Sequence, residues 1–136
     1  MGLISWGDEY SVNVKAIDSQ HKNLIDIINK LHFSLQKGES KLVLGEIFLD
    51  LKEYADKHFK YEEHLLEKYD ISSKESHAKE HNELLDKVYE LNNDFVEQNN
   101  YLIGVEVIMF LKNWLINHIQ GTDYKSAELL NSKGVF

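Results

Sequence analysis

The 136-residue sequence contains no cysteine, no proline and no arginine. Without cysteine the chain has no disulfide, no thiolate zinc site, no thiol nucleophile and no cysteine-bound iron–sulfur cluster. Without proline, and with only seven glycines, nothing indicates a proline-rich linker or a disordered tail. All 15 basic residues are lysines against 23 acidic residues, for a net charge of −8. This balance argues against nucleic-acid binding, which relies on basic side chains and on arginine in particular.

Length and hydrophobic content favour an ordinary globular domain. The chain is 43% hydrophobic, and its length predicts a single domain spanning residues 1–136. Uninterrupted apolar runs are shorter than the roughly 20 residues that a membrane span needs. The N-terminus lacks the basic and apolar regions of a signal peptide. We therefore expect a cytoplasmic protein that contacts neither membrane nor nucleic acid.

Apolar residues recur at helical spacing in four segments joined by short connectors, after an arm over residues 1–17 without that spacing. Short connectors make neighbouring helices antiparallel, which predicts an all-α, up-down-up-down four-helix bundle with a non-helical N-terminal arm. The fourth pattern is interrupted at Gly121–Thr122, and residues 124–131 predict a short C-terminal helix. The candidate caps and breaks are Asp18 or Ser19, Gly38, Ser40, Ser72 or Ser73, and Asn99–Asn100.

Histidine is abundant, and its placement suggests a metal centre. Burying imidazoles and a carboxylate in an apolar core is unfavourable unless they are satisfied, and a metal ion satisfies several of them at once. Two of the seven histidines, His32 and His64, are expected at the surface or in contact with the metal-binding residues without binding the metal themselves. The other five, and one glutamate, continue the apolar stripes of all four predicted helices: His21, His58 with Glu62, His77 with His81, and His118.

The residue types narrow the choice of metal without deciding it. Five histidines exceed a four-coordinate zinc site, and calcium and magnesium prefer oxygen ligands. Imidazole suits iron, copper, nickel and zinc, and a bridging carboxylate suits a pair of metals. The Glu-x-x-His pair of ferritin-like proteins and the His-Glu-x-x-His motif of zinc proteases are both absent.

Four motifs together resemble the hemerythrin family, in particular its single-domain bacterial members. The resemblance covers essentially the whole chain, including Trp6 in the arm. It implies a four-helix bundle that binds dioxygen reversibly at a non-haem di-iron centre. The motifs are Asp18-Ser-Gln-His21, His58-Phe-Lys-Tyr-Glu62-Glu, His77-Ala-Lys-Glu-His81 and Trp114-Leu-Ile-Asn-His118-Ile-Gln-Gly-Thr-Asp123.

The resemblance also implies how the ligands divide. One iron takes His77, His81 and His118, the other takes His21 and His58, and both are bridged by Glu62, Asp123 and an oxo or hydroxo group. The second iron keeps an open position for dioxygen as the pair cycles between Fe²⁺ and Fe³⁺. An apolar pocket at this position is expected to exclude water. Water promotes conversion of the centre to ferric iron, which cannot bind dioxygen. The matching pocket residues are Leu24, Phe59, Trp114 and Leu115.

Two spacings make specific predictions. Glu62 lies about 40° around an ideal helix from the histidine four residues before it, whereas Glu63 lies about 140° away, so Glu62 should be the bridge. Asp123 follows His118 by five residues, and a regular helix would point it away from the site. We therefore predict that the fourth helix ends or widens into a π-type turn at Gly121–Thr122.

Several functions remain compatible with such a centre. Reversible dioxygen binding by a carrier, store or supplier, without catalysis, is the leading interpretation. An oxidase, a peroxidase or a nitric-oxide-reducing enzyme would need a proton donor near the open position, and the matched motifs offer no obvious acid. The further alternatives are a sensor that acts through a partner protein and a store for iron or zinc.

Overall fold

The computed structural model describes residues 3–71, 74–98 and 102–136. Within these ranges helices are the only regular secondary structure and no strand occurs, and the predicted four-helix bundle is confirmed. Helix α1 packs against α2 and α4, and α3 packs against the same two helices, so the four surround a common core. The elements are a 3₁₀ turn at Asp8–Tyr10, α1 at Lys15–Gln36, α2 at Ser40–Lys68, α3 at Lys74–Gln98, α4 at Leu102–Trp114, a π segment at Leu115–Asp123 and α5 at Tyr124–Ser132.

The start of α1 differs from the sequence prediction. The helix begins at Lys15, so the predicted caps at Asp18 and Ser19 are wrong. The Asp18 carboxylate instead accepts hydrogen bonds from the Ser11 hydroxyl at 2.7 Å and from the Val12 amide at 2.8 Å. Asp18 therefore holds the N-terminal arm against the first turn of α1. The helix begins at Lys15, ahead of the polar residues that were expected to cap it.

The connectors follow the sequence more closely. Gly38 lies between α1 and α2 with a φ of +72°, a left-handed conformation that glycine adopts without strain. Ser40 is the first residue of α2 instead of its cap, which is Glu39. The predicted breaks at Ser72 or Ser73 and at Asn99–Asn100 lie outside the described residues.

Over residues 3–14 the N-terminal arm is irregular, as predicted, apart from its one 3₁₀ turn, whereas residues 15–17 of the predicted arm belong to α1. The Ile4 amide donates to Asn29 Oδ1 at 2.9 Å, and Asn29 Nδ2 donates back to the Ile4 carbonyl at 2.8 Å. The half-buried Trp6 packs against the core, and the ammonium of Lys22 lies 5.0 Å from its ring centre. The arm is therefore held against α1 by hydrogen bonds and ring contacts.

The fourth side of the bundle is one continuous helical stretch. The predicted π-type widening is confirmed, but it covers nine residues, and α5 follows it without a break. By length and composition the resulting 31-residue stretch, Leu102–Ser132, could cross a membrane, although half of its most apolar window is buried inside the bundle. A core helix of a bundle has the same properties, and this one carries buried polar residues, His118 and Asp123.

The buried apolar side chains form two separate clusters, one toward each end of the bundle. On α1, Ile17 belongs to the smaller cluster, Leu24 belongs to the larger one, and the buried His21 lies between them. Glu62 on α2 and Asp123 in the π segment occupy the same boundary. The fold thus brings a polar layer together between two apolar clusters.

Candidate metal centre

Seven buried titratable side chains meet in this polar layer, and none is more than 2% exposed. All seven were named from the sequence as candidate ligands. The half-buried His32 and the exposed His64 do not belong to the group, in agreement with expectation. The seven, which we call the polar cluster, are His21, His58, Glu62, His77, His81, His118 and Asp123.

The polar cluster divides into two overlapping groups of candidate ligands. In each group the candidate ligand atoms lie within 4.8 Å of one another. Glu62 and Asp123 belong to both groups, so a three-histidine group and a two-histidine group share two carboxylates. The first group contains Glu62, His77, His81, His118 and Asp123, and the second contains His21, His58, Glu62 and Asp123.

Asp123 directs one carboxylate oxygen toward each group. Its Oδ2 lies 2.9 Å from His21 Nε2 and 3.6 Å from His58 Nε2. Its Oδ1 lies 2.9 Å from His118 Nε2 and 3.4 Å from His77 Nδ1. In the π segment the backbone bonds link residues five apart, which brings His118 and Asp123 to the same face.

Glu62 is oriented in the same way from the opposite side. Its Oε2 lies 3.5 Å from His58 Nε2, and its Oε1 lies 2.5 Å from His77 Nδ1 and 3.3 Å from His81 Nε2. Glu63 is half-buried, and its carboxylate contacts the outward Nδ1 of His81 at 3.4 Å. Glu62 therefore points into the polar cluster and Glu63 lies outside it, as the rotation of an ideal helix predicts.

Six atoms that face the middle of the polar cluster have no hydrogen-bond partner within the protein. Buried polar atoms in folded proteins are almost always satisfied. Imidazole nitrogens and carboxylate oxygens that converge unsatisfied fit a site for iron or a similar transition metal. The inward atoms are His58 Nε2, Glu62 Oε1, His77 Nδ1, His81 Nε2, His118 Nε2 and Asp123 Oδ1.

Two of the histidines are fixed from behind by residues that sequence reasoning did not identify. His118 Nδ1 donates to Glu80 Oε2 at 2.8 Å, and the Thr122 hydroxyl donates to Glu80 Oε1 at 3.1 Å. His58 Nδ1 donates to Gln20 Oε1 at 2.5 Å. Such outer partners orient a ligating imidazole and select its tautomer. Each is next to a motif histidine along the chain but contacts a histidine of another helix, so spacing alone does not reveal it.

The other three histidines differ in how they are held. His77 Nε2 and the Ser126 hydroxyl form a hydrogen bond of 2.6 Å, which ties the start of α3 to α5. His81 Nδ1 faces Glu63. His21 hydrogen-bonds through Nε2 to Asp123, and its Nδ1 has no hydrogen-bond partner. His21 therefore has the least outside support of the five.

Charge pairing stabilises the polar cluster in the metal-free protein. Burial acts to raise the pKa of Asp123, but contacts with His118 and His21 outweigh it and hold that pKa well below its usual value. Burial and the Asp123 charge likewise raise the pKa of Glu62, and neighbouring imidazoles bring it below normal. Burial lowers the pKa of His77 and His118, yet the carboxylates raise both above the usual range. A metal ion would therefore displace protons when it binds.

Three aromatic side chains stack face to face on histidines of the polar cluster, and we call them the aromatic cap. Ring centres are 5.2 Å apart for Tyr54 on His58, 3.7 Å for Phe59 on His81 and 4.1 Å for Trp114 on His118. The predicted pocket residues Leu24 and Leu115 belong to the same larger apolar cluster as the cap. All four predicted pocket residues are thus buried on one side of the polar cluster, and Tyr54 joins them unpredicted.

Comparisons with known proteins agree with this geometry. The chain is 30% identical to bacteriohemerythrin from Stenotrophomonas maltophilia (strain R551-3), covering 94% of this chain and 82% of that protein. It is 31% identical to bacteriohemerythrin from Methylococcus capsulatus (strain Bath), covering 90% and 93%. A crystal structure of a hemerythrin mutant superposes with a TM-score of 0.84 at 29% identity, covering 96% of this chain and 98% of that one. The family model described as hemerythrin HHE cation binding domain matches residues 12–130, and the chain belongs to the hemerythrin family.

Proposed function

We propose that this chain binds dioxygen reversibly at two iron ions in the polar cluster, as a carrier, store or supplier and not as an enzyme. The observation that carries the proposal is that Glu62 and Asp123 each direct one oxygen toward each histidine group. Two carboxylates shared in this way suit a pair of metal ions bridged by both. In this proposal His77, His81 and His118 hold one iron, His21 and His58 hold the other, and an oxo or hydroxo group completes the bridge.

The unequal histidine count supports a single site for an added ligand. With three imidazoles on one side and two on the other, the second group is one protein ligand short of the first. The iron pair supplies the electrons that dioxygen binding requires. The protein holds the imidazoles in place through Gln20, Glu80, Ser126 and Glu63, so the ligand positions do not depend on the added molecule.

The apolar surroundings support reversible binding over turnover. Leu24 and Leu115 are at most 1% exposed, and Phe59 and Trp114 cover the His81 and His118 rings. Such a lining excludes water from the polar cluster, and proton delivery from solvent is correspondingly restricted. Because helices α1 to α3 and the π segment all contribute ligands, the function belongs to residues 1–136 acting as one domain.

A visible absorption spectrum with an iron count tests the proposal. The anaerobically reduced protein is expected to hold two irons per chain, to be nearly colourless, to gain colour in air and to lose it again under argon. Colour that forms and does not reverse, with peroxide released or consumed, would favour the oxidase or peroxidase alternative. A protein purified from iron-supplemented cells that holds neither iron nor colour would overturn the proposal.

A further inference from the structure

Helix α4 is apolar on its outer face as well as on the face that packs into the bundle. Only two of its 13 residues carry a charge. The outer face of a bundle helix is normally polar, and a helix that is apolar all round is normally covered on every side. Four large apolar side chains nevertheless lie exposed along α4 and the start of the π segment. Their exposed fractions are 47% for Leu102, 42% for Val105, 62% for Met109 and 57% for Ile116.

These four residues, which we call the outer stripe, have the spacing of a seam between paired helices. Leu102, Met109 and Ile116 follow one another at intervals of seven residues. Val105 and Lys112 come three residues after the first two of them. Alternating steps of three and four residues place side chains along one line of a helix, where a second helix packs against them. The outer stripe therefore has the pattern of one half of a helix–helix contact.

The residues along this line are arranged symmetrically around Met109. Glu106 lies three residues before Met109, and Lys112 lies three residues after it. Leu102 and Ile116 lie seven residues before and after it. In an antiparallel pair with a two-fold axis beside Met109, each residue lies level with its counterpart on the other side of Met109. Glu106 of one copy is then level with Lys112 of the other, twice, whereas a parallel pair would bring Glu106 level with Glu106.

The surroundings of the outer stripe also suit a second copy. A groove of about 430 Å³ runs beside it between α4 and α1, and no carboxylate of the described residues lines this groove. Met109 lies at its edge, and a methionine side chain adapts to irregular gaps. Because the chain carries a net charge of −8, two copies repel each other over much of their surfaces. The groove and the outer stripe offer a place where they meet without opposing carboxylates.

We propose that two copies of this chain form an antiparallel dimer through the outer stripe, with Met109 at the two-fold axis and Glu106 of each copy paired with Lys112 of the other. The contact is small, so the dimer is reversible, with a dissociation constant on the order of micromolar. A membrane surface is the less suitable occupant, since it attracts clusters of basic residues and the outer stripe has one lysine beside it. The dimer is independent of the proposed function, because these residues lie outside the polar cluster.

Sedimentation velocity of the iron-loaded protein over a range of concentrations measures the association. Met109→Lys is expected to weaken the dimer about 100-fold, because it brings two like charges together at the axis. Leu49→Lys, at an apolar residue of α2 that is 64% exposed, is the matched control and should dimerise like the wild type. Both positions are exposed, so circular dichroism should show both variants folded. Equal association of wild type and Met109→Lys would overturn the proposal.

Charge reversal tests the antiparallel arrangement itself. Glu106→Lys and Lys112→Glu each replace two opposite-charge pairs by like-charge pairs and should each weaken the dimer about tenfold. The two changes in one chain restore opposite charges across the axis, so the double variant should regain the wild-type affinity. Single variants that weaken the dimer without recovery in the double variant would overturn the pairing of Glu106 with Lys112.

Cross-linking provides a direct check, because the chain contains no cysteine. Under mild oxidation Met109→Cys is expected to give a disulfide-linked dimer through the two-fold axis, whereas Leu49→Cys should remain largely monomeric. A wild type that stays monomeric at every concentration would overturn the proposal. Binding of that monomer to vesicles of neutral phosphatidylcholine would then assign the outer stripe to a lipid surface instead.

Discussion

The ring of Phe59 lies flat on the ring of His81, with 3.7 Å between the ring centres and 4° between the planes. His81 Nε2 faces Glu62 and its Nδ1 faces Glu63, so polar contacts fix the two edges of the imidazole. The stack fixes its faces, which leaves the imidazole little freedom to rotate. An apolar residue thus orients a candidate metal ligand while also packing the larger cluster.

Truncating this ring should destabilise the protein strongly. Phe59 is 4% exposed, and Phe59→Ala is expected to lower the free energy of unfolding by about 3–5 kcal/mol through lost burial and a cavity. Phe33→Ala, at a phenylalanine that is 53% exposed, should cost less than about 1 kcal/mol. Chemical denaturation of the metal-free variants measures both, and similar losses would contradict the packing role.

The ligand assignment predicts a sharp contrast among histidine variants. His21→Ala and His58→Ala should abolish dioxygen binding, because each removes one of two imidazoles from the smaller group. His64→Ala, at an exposed position, and His32→Ala should leave binding and the two irons unchanged. Iron analysis and the air-dependent spectrum check this, and equal effects at all four positions would break the assignment.

Glu80 should matter although it is not a candidate ligand. Glu80→Gln removes the charge that accepts from His118 Nδ1 while keeping an oxygen for Thr122. We expect metal affinity to fall about 10–100-fold, as for other partners behind ligating histidines. Glu83→Gln, at an exposed glutamate of the same helix, is the matched control. Competition with a metal chelator measures the affinities, and an unchanged value for Glu80→Gln would remove it from the site.

The metal-free protein should lose stability on both sides of a pH optimum. His77 and His118 have raised pKa values, so their contribution to the free energy of unfolding is complete below the usual histidine value of 6.5. That contribution is lost as pH rises through the folded-state pKa. Asp123 has a lowered pKa, so its contribution is complete above its usual value of 3.8 and is lost as pH falls toward its folded-state pKa. Urea unfolding across pH measures the profile. His118→Gln should flatten the alkaline side, and a wild-type stability that rises steadily above pH 6.5 would contradict the pairing.

Gly121 is not required by the π segment, even though the sequence singled it out. A Cβ at this position meets no atom within 4 Å, and the backbone is not left-handed there. Gly121→Ala should therefore raise the free energy of unfolding by about 0.5–1 kcal/mol, the usual gain of alanine over glycine in a helix. Gly38→Ala should do the opposite because its φ is +72°. Thermal unfolding followed by circular dichroism compares the two, and a destabilised Gly121→Ala would show that glycine is needed.

Sequence patterns predicted the helices better than their ends. The spacing of apolar residues located all four sides of the bundle because burial of one face decides whether a segment is helical. The start of α1 was misplaced because Asp18 has the side chain of a cap but bonds to Ser11 and Val12 of the folded-back arm. Cap identity depends on which backbone groups are nearby, and that is settled by the path of the arm.

By itself the sequence determined the types of the candidate histidine and glutamate ligands and the helix faces that carry them, because helical rotation relates each residue to the next. The family resemblance added Asp123, and the same rotation revealed its conflict with a regular helix. Only the tertiary structure decided which oxygen of Glu62 and Asp123 faces which histidine group, since that depends on how four helices approach one another. It also decided the roles of Glu80, Gln20 and Tyr54. Their partners are Glu80 with His118, Gln20 with His58, and Tyr54 stacked on His58. Contacts between helices leave no periodic signal along the chain, so packing alone revealed them.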